Sequence, residues 1–358
     1  MKVAILLGEV TGKGGMETVI SHTVSLFNKF NNRSEMKVFV LGGSRDETWL
    51  KKIGNEHYYC LCAANEAKAK RYLKCVFRAP SMIKKFEPDV ILGADEKSVL
   101  YAKLFSKFFK RKPKIGTWIH FSLTSITGFY RNIIKTADFH LSISEGLKQE
   151  YVSNGLADDS NIHLIYNPLN LNHLMINRPS DKLELIYVGR LIYDGQKRVN
   201  DLLNAVSKIE GDWQLTIIGD GKDRDKLFRL SKKLGIDRKI IWLGWQDHPF
   251  DCIKSASLLL LTSEYEGFGM VLVEAMSRGI PCISTDCPVG PSDIIKNNVN
   301  GWLYSVRDNQ ALTDLLNQIV RGEKPLPDAV KIRQSVEKYD ENKFSIRLFN
   351  VLEHELTK

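Results

Sequence analysis

Two glutamates, Glu266 and Glu274, bracket the run Gly267-Phe268-Gly269-Met270 directly after the apolar stretch Leu258–Thr262. Carboxylates are good acceptors for pairs of sugar hydroxyls and poor ligands for phosphate. If the segment is helical throughout, the two side chains are separated by about 12 Å, too far to share one proton or one metal ion. Two hydroxyl clusters on either side of a diphosphate would suit that spacing, with a nucleotide ribose at Glu274 and a hexose at Glu266. The amides from Gly267 to Met270 would then meet the charge between them. Taken singly, each glutamate has a plainer reading: Glu266 as negative charge at a helix N-terminus, Glu274 as a solvated helix residue.

Cations stand where that chemistry needs them. Arg190 follows the apolar run Leu185–Val188, and Lys197 lies in the loop Gly195-Gln-Lys197-Arg198. A guanidinium fork and an ammonium point charge at one strand end make a candidate diphosphate clamp. A second glycine loop, Gly8-Glu-Val-Thr-Gly-Lys-Gly14-Gly15, opens a helix near Met16, where free amides attract phosphate. It is not the dinucleotide pattern GxGxxG, and no acidic residue ends the next strand to hold a ribose. The string Asp223-Arg-Asp225 falls at an expected helix start and reads as N-terminal charge. No metal site is therefore expected, and no cofactor beyond a sugar-nucleotide co-substrate.

The elements that position these residues follow from hydrophobic periodicity. Short β-branched or leucine-rich runs alternate with amphipathic stretches of helix length, the pattern of parallel sheets covered by helices. Strands are expected at Val3–Leu7, Lys37–Leu41, Val90–Leu92, Ile115–Trp118 and His140–Ile143, then at Leu185–Val188, Gln214–Ile218, Ile240–Leu243, Leu258–Thr262 and Cys282–Ser284. The fold class is α/β, with two doubly wound Rossmann-like domains facing a cleft. The expected divisions are residues 1–168, a linker at 169–182, residues 183–328, and a single helix over 329–358 that could return to the first domain. A chain of 358 residues is long enough for two such cores.

Composition narrows the function. With 43% hydrophobic and 26% charged residues the chain is globular. The six cysteines form no ligand pattern, and neither a signal peptide nor a spanning helix is evident, so a cytoplasmic protein with reduced thiols is expected. The net charge of +9 is uneven: residues 1–170 carry 25 Lys and Arg against 16 Asp and Glu, and the remainder is balanced. Anionic partners should therefore meet the first half. Two basic, aromatic segments dominate it. The one at Lys68–Arg78 reads as a helix with its apolar stripe in the core. The one at Lys103–Lys114, with Lys107, Lys110, Arg111 and Lys112 among Leu104, Phe105, Phe108 and Phe109, reads as a membrane-facing surface. Its alternative is an ordinary core helix with solvated lysines.

Together, Gly14-Gly15-Met-Glu17, His120, Gly189-Arg190 with Lys197, Gly219-Asp-Gly221, and Glu266 through Glu274 followed by Gly279-Ile-Pro281 resemble the large retaining glycosyltransferase family with two Rossmann-like domains, which includes sucrose synthase and bacterial mannosyltransferases. Within it, runs such as HFSL, YNP, GQKRV, WQLTIIGDG and NGWLY are similar to the galactosyltransferases that build the lipopolysaccharide core of enteric bacteria; the likeness is weakest at about residues 44–115. The resemblance implies catalytic roles for His120 and Glu266. It implies donor contacts from Gly15, Arg190, Lys197, Gly267, Phe268, Gly269, Met270 and Glu274, and acceptor-side places for Glu17, Ser144 and Asn167. Glu17 could instead simply open its helix.

The reaction so implied is retaining, metal-independent transfer of a hexose, galactose from UDP-galactose, onto a lipopolysaccharide core or other lipid-linked saccharide, by an enzyme peripheral on the inner face of the cytoplasmic membrane. Another sugar nucleotide in capsule or O-antigen synthesis is the nearest alternative. A nucleotide-sugar epimerase or hydrolase, or a non-enzymatic polyanion-binding protein, is a more distant one. An anionic membrane surface is an expected partner; nucleic acid is not.

Overall fold

The computed structural model describes residues 1–63, 65–179 and 181–358, with Ser125 described by its backbone alone. The chain divides into two compact units, residues 1–168 with 339–358, and residues 169–338. The first unit is built on a seven-stranded sheet: β1 (Lys2–Leu7), β2 (Glu35–Val40), β3 (Tyr58–Cys60), β4 (Val90–Gly93), β5 (Lys114–Thr117), β6 (Phe139–Ser142) and β7 (Ile162–Leu164), in the order β3-β2-β1-β4-β5-β6-β7. The second has six strands: β8 (Leu183–Val188), β9 (Trp213–Ile218), β10 (Ile240–Gly244), β11 (Leu258–Leu261), β12 (Cys282–Thr285) and β13 (Gly301–Tyr304), in the order β10-β9-β8-β11-β12-β13. Every strand pairing is parallel. Helices cover both faces, which is why central strands such as Leu258-Leu-Leu-Leu261 are apolar at every position and buried throughout.

In each sheet the strand order reverses beside the first strand of its unit, between β1 and β4 and between β8 and β11. Ligands of open α/β sheets sit outside the C-terminal ends of the strands at such a reversal. The loops that leave β1, β8 and β11 are the ones that carry Gly14-Gly15, Arg190 and Glu266. The approach of the β8 and β9 loops explains one glycine: a Cβ on Gly219, whose φ is +141°, would lie 1.9 Å from the Gly189 carbonyl oxygen.

Three expectations of organisation are corrected. Residues 169–182 are not a free linker but part of the second unit, where Ile176 N donates to Arg278 O at 3.0 Å and Arg178 Nη2 to Gly279 O at 2.9 Å; Ser180 lies outside the described residues. The single C-terminal helix is two, Ala329–Ser335 and Glu341–Thr357. Asp340 breaks it by leaving helical geometry, at φ −50° and ψ 136°, and accepting from the amides of Asn342 at 2.9 Å and Lys343 at 3.3 Å. Only the second piece belongs to the first unit, with His22 Nε2 2.7 Å from Glu341 Oε2 and His163 Nε2 2.9 Å from Glu355 Oε1.

The third correction concerns the basic segments. Within Lys103–Lys114, Phe105 is core and Phe109 packs against the same cluster, so half of the expected membrane face is interior; Leu104 and Phe108 remain exposed, as do Lys107, Lys110, Arg111 and Lys112. The helix Lys68–Phe77 does the reverse. Its inward face is Cys75, whose thiol donates to Leu41 O at 3.2 Å, and Arg71, which donates to Gly42 O at 3.0 Å, while Tyr72, Leu73, Val76 and Phe77 point to solvent. Among the described residues no helix is long and apolar enough to cross a membrane.

Candidate active site

In the second unit, Lys197 Nζ donates to Glu266 Oε1 at 2.5 Å, and Ser263 Oγ donates to the same oxygen at 2.6 Å. The sequence brings them together through a strap between two strand ends. Thr262 Oγ1 donates to the carbonyls of Lys197 and Arg198 at 2.9 and 3.1 Å, and Glu264 N donates to Gln196 O at 2.8 Å. Arg198, left-handed at φ +45°, anchors the loop by pairing with Asp201 at 2.6 Å, Asp194 at 2.7 Å and Glu264 at 3.3 Å. With Arg198 so occupied, Lys197 is the cation turned toward Glu266.

Arg190 is exposed, its Nη2 donating to Gln196 Oε1 at 2.6 Å, and Tyr187 OH holds its carbonyl at 3.0 Å. The arginine fork therefore stands over the same loop, open to an anion. Glu274 is half-buried on the helix Met270–Met276, and among the described residues its carboxylate has no hydrogen-bond partner. Burial pushes its pKa up, opposed by the nearby Arg278. The condition of a segment helical throughout is not met: the helix begins only at Met270, after Gly269 at φ +93°, and Glu266 lies in the preceding loop. The 12 Å spacing does not apply, because the loop sets Glu266 by its Lys197 and Ser263 bonds. The amides of Gly267 and Gly269 have no acceptor among the described residues, and Phe268 between them is buried. Asp223 is committed elsewhere, accepting from Tyr193 N at 2.9 Å, and Asp225 lies in the first turn of the helix Arg224–Lys233.

In the first unit, Gly15 is exposed and opens the helix Gly15–Phe30, with nothing within 4 Å of an added Cβ. Glu17 is buried, and its Oε1 accepts from Gly12 N at 2.9 Å and Thr11 Oγ1 at 3.1 Å. Through these bonds it holds the glycine loop in shape. Ser144 is likewise a helix cap, accepting from Leu147 N at 3.0 Å, and not a free polar group. Asn167 is buried with Oδ1 unpartnered, a group with bonding capacity to spare.

His120 follows β5. Its Nε2 is buried without a partner, its ring leans on Trp118 with centroids 4.7 Å apart, and burial pushes its pKa down to about 3. It is a neutral imidazole at neutral pH. The loop beyond it is fixed by Glu150, which accepts from Ser122 Oγ at 2.7 Å and Leu123 N at 2.6 Å. Sequence reasoning missed Glu150, Ser263, Thr262 and Glu264. Only Ser263, three residues before Glu266, carried a local spacing signal.

Two family descriptions divide the chain between them: Glycosyltransferase Family 4 matches residues 13–173 and Glycosyl transferases group 1 matches residues 173–340. The chain is 37% identical to the lipopolysaccharide 1,6-galactosyltransferase of Escherichia coli (strain K12), over 98% of each chain. It is 39% identical to the protein of that name from Salmonella typhimurium (strain LT2), over 90% of each. Among solved structures, the lipopolysaccharide outer core galactosyltransferase WaaB in its apo form superposes with a TM-score of 0.85 at 35% identity, covering 99% of this chain and 100% of that one.

Proposed function

The chain is a hexosyltransferase of the two-domain glycosyltransferase family to which those enterobacterial enzymes belong, and from that membership we propose that it transfers galactose from UDP-galactose to a hydroxyl of a lipopolysaccharide core sugar, with retention at the anomeric carbon. The observation that carries the site assignment is the meeting of Lys197 with Glu266 where the second sheet reverses its strand order. A ribose at Glu274 and a hexose at Glu266 would leave the diphosphate to Arg190, Lys197 and the amides of Gly267 to Met270.

In the step so assigned, the bond from the anomeric carbon to the diphosphate oxygen breaks, and the acceptor oxygen bonds to that carbon on the same face. The acceptor's proton passes to the departing phosphate oxygen. The chain lowers the barrier mainly by placing fixed cations and amide dipoles where negative charge accumulates on the leaving group. No divalent ion is given a part in this scheme. Gly15 would add an open amide at a helix start for the donor's distal phosphate, while on the acceptor side neutral His120 supplies a hydrogen-bonding Nε2 and Asn167 an unpaired amide oxygen. Because the acceptor is lipid-borne, the reading places the enzyme at the cytoplasmic face of the inner membrane.

Nucleotide release measured over UDP-galactose, UDP-glucose, UDP-N-acetylglucosamine and GDP-mannose, with and without truncated lipopolysaccharide, tests the reading. UDP-galactose should be turned over only with acceptor present. Preference for another donor, or UDP release independent of acceptor, would overturn it.

A further inference from the structure

The helix Lys68–Phe77 presents an apolar stripe to solvent that no part of its unit covers. Phe77 is 74% exposed, Tyr72 62%, Leu73 54% and Val76 39%. Their spacing, i, i+1, i+4 and i+5, puts all four on one side of the helix, with Lys68 and Lys70 on its two flanks. Residues 67–86, which include the next helix Ala79–Phe86, hold seven Lys and Arg and no Asp or Glu. Arg71 and Lys74 are used within the unit, pairing with Glu9 at 2.9 Å and Glu66 at 2.5 Å. Lys68, Lys70 and Arg78 are exposed and make no ion pair among the described residues.

We propose that this helix is the surface by which the protein docks on an anionic lipid bilayer, its aromatic stripe entering the headgroup layer and its flanking cations meeting lipid phosphates. Charge names the occupant: four exposed apolar residues ringed by cations, with no acidic residue in two consecutive helices, match a negatively charged apolar boundary and repel an equally basic second copy. The placement also fits work on a lipid-borne substrate. Arg71, on the inward face of the same helix, bonds the loop residue Glu9 and the Gly42 carbonyl. These lie at the C-terminal ends of β1 and β2, so the helix is fastened to the C-terminal end of the sheet, where the Gly14-Gly15 loop also lies. The inference deepens the proposed function and rests on it only for the identity of the acceptor.

The test is sedimentation of the full chain with vesicles of phosphatidylethanolamine and phosphatidylglycerol, compared with phosphatidylcholine alone. Wild type should bind the anionic vesicles and not the neutral ones, and lose binding as salt rises. Combined Lys68→Glu, Lys70→Glu and Arg78→Glu should weaken vesicle affinity by about tenfold or more. Combined Tyr72→Ser and Phe77→Ser should weaken it even at low salt. Reversal of Lys107, Lys110, Arg111 and Lys112 to Glu should leave most of the binding intact. All these side chains are exposed, so melting temperature should hold. Unchanged binding in the helix variants, a greater loss in the 107–112 variant, or a lipid-free dimer dissolved by the Ser pair would overturn the proposal. Activity on a delipidated oligosaccharide separates the two readings. Vesicle binding through this helix in a protein without galactosyl transfer would sink the function and keep the docking surface.

Discussion

Lys197 Nζ and Glu266 Oε1 are 2.5 Å apart, with the lysine side chain 13% exposed and the glutamate 9%. A buried carboxylate so placed is costly without its cation. Any diphosphate that takes Lys197 must compete with Glu266, while Ser263 keeps one bond to the carboxylate. Arg190 has no such rival among the described residues, where its side chain bonds neutral Gln196.

The two cations should therefore fail differently. Replacing either by Ala should lower turnover by roughly two to three orders of magnitude, the loss of one preorganised charge contact. Lys197→Ala should in addition destabilise the fold by about 1–3 kcal/mol through its stranded carboxylate, whereas Arg190→Ala should leave the melting temperature near wild type. Steady-state rates and thermal melts together check this, and near-wild-type turnover in either variant would remove the diphosphate clamp.

The glutamates are expected to separate binding from transfer. Glu274→Gln should weaken UDP binding by calorimetry, since its unpartnered carboxylate is assigned to the ribose. Glu266→Gln should bind UDP nearly as well and lose mainly the rate of sugar transfer. Equal losses of UDP affinity in the two variants would contradict two distinct hydroxyl clusters.

Metal removal gives a third test. With the leaving charge met by Arg190, Lys197 and backbone amides, activity should be full in excess EDTA. A strict requirement for an added divalent ion would return attention to Asp223 and Asp225, at the cost of the Asp223 bond to the Tyr193 amide.

Much of this was legible in the sequence because the strands that carry the site are buried on both faces and read as continuous apolar runs. Each strand expected from periodicity is present, with ends moved by one or two residues. The strands left out, β3, β7 and β13, lie at sheet edges, where three or four residues paired on one side leave little pattern. Periodicity also identified the helix Lys68–Phe77 without revealing which side turns inward. Arg71 and Cys75 can face the sheet because backbone carbonyls of Gly42 and Leu41 receive their hydrogens, a tertiary fact with no local signature. The same holds at the site. Arg190, Lys197 and Glu266 were readable as strand-end residues, but the straps from Thr262, Glu264 and Glu150 depend on partners far away in sequence.

The last prediction follows from buried histidines. Burial holds His120 at about 3 and His140, whose Nδ1 lies 2.8 Å from Thr117 Oγ1, at about 4, both below the ordinary value of 6.5. The unfolded chain takes up these protons first as pH falls, so both residues favour the folded state above pH 6.5 and withdraw that stability progressively as pH falls from about 6.5 toward 4. Melting temperature should decline across that window. His120→Gln should flatten the decline, and its cost at pH 7 should be small because Nε2 has no protein partner to lose. The rate profile of the wild type should show no inflection near 6.5 from His120, which stays neutral throughout. A melting curve equally steep in acid for wild type and His120→Gln would mean that this imidazole is not held neutral by burial, and its assignment as an uncharged hydrogen-bonding group at the acceptor would fall with it.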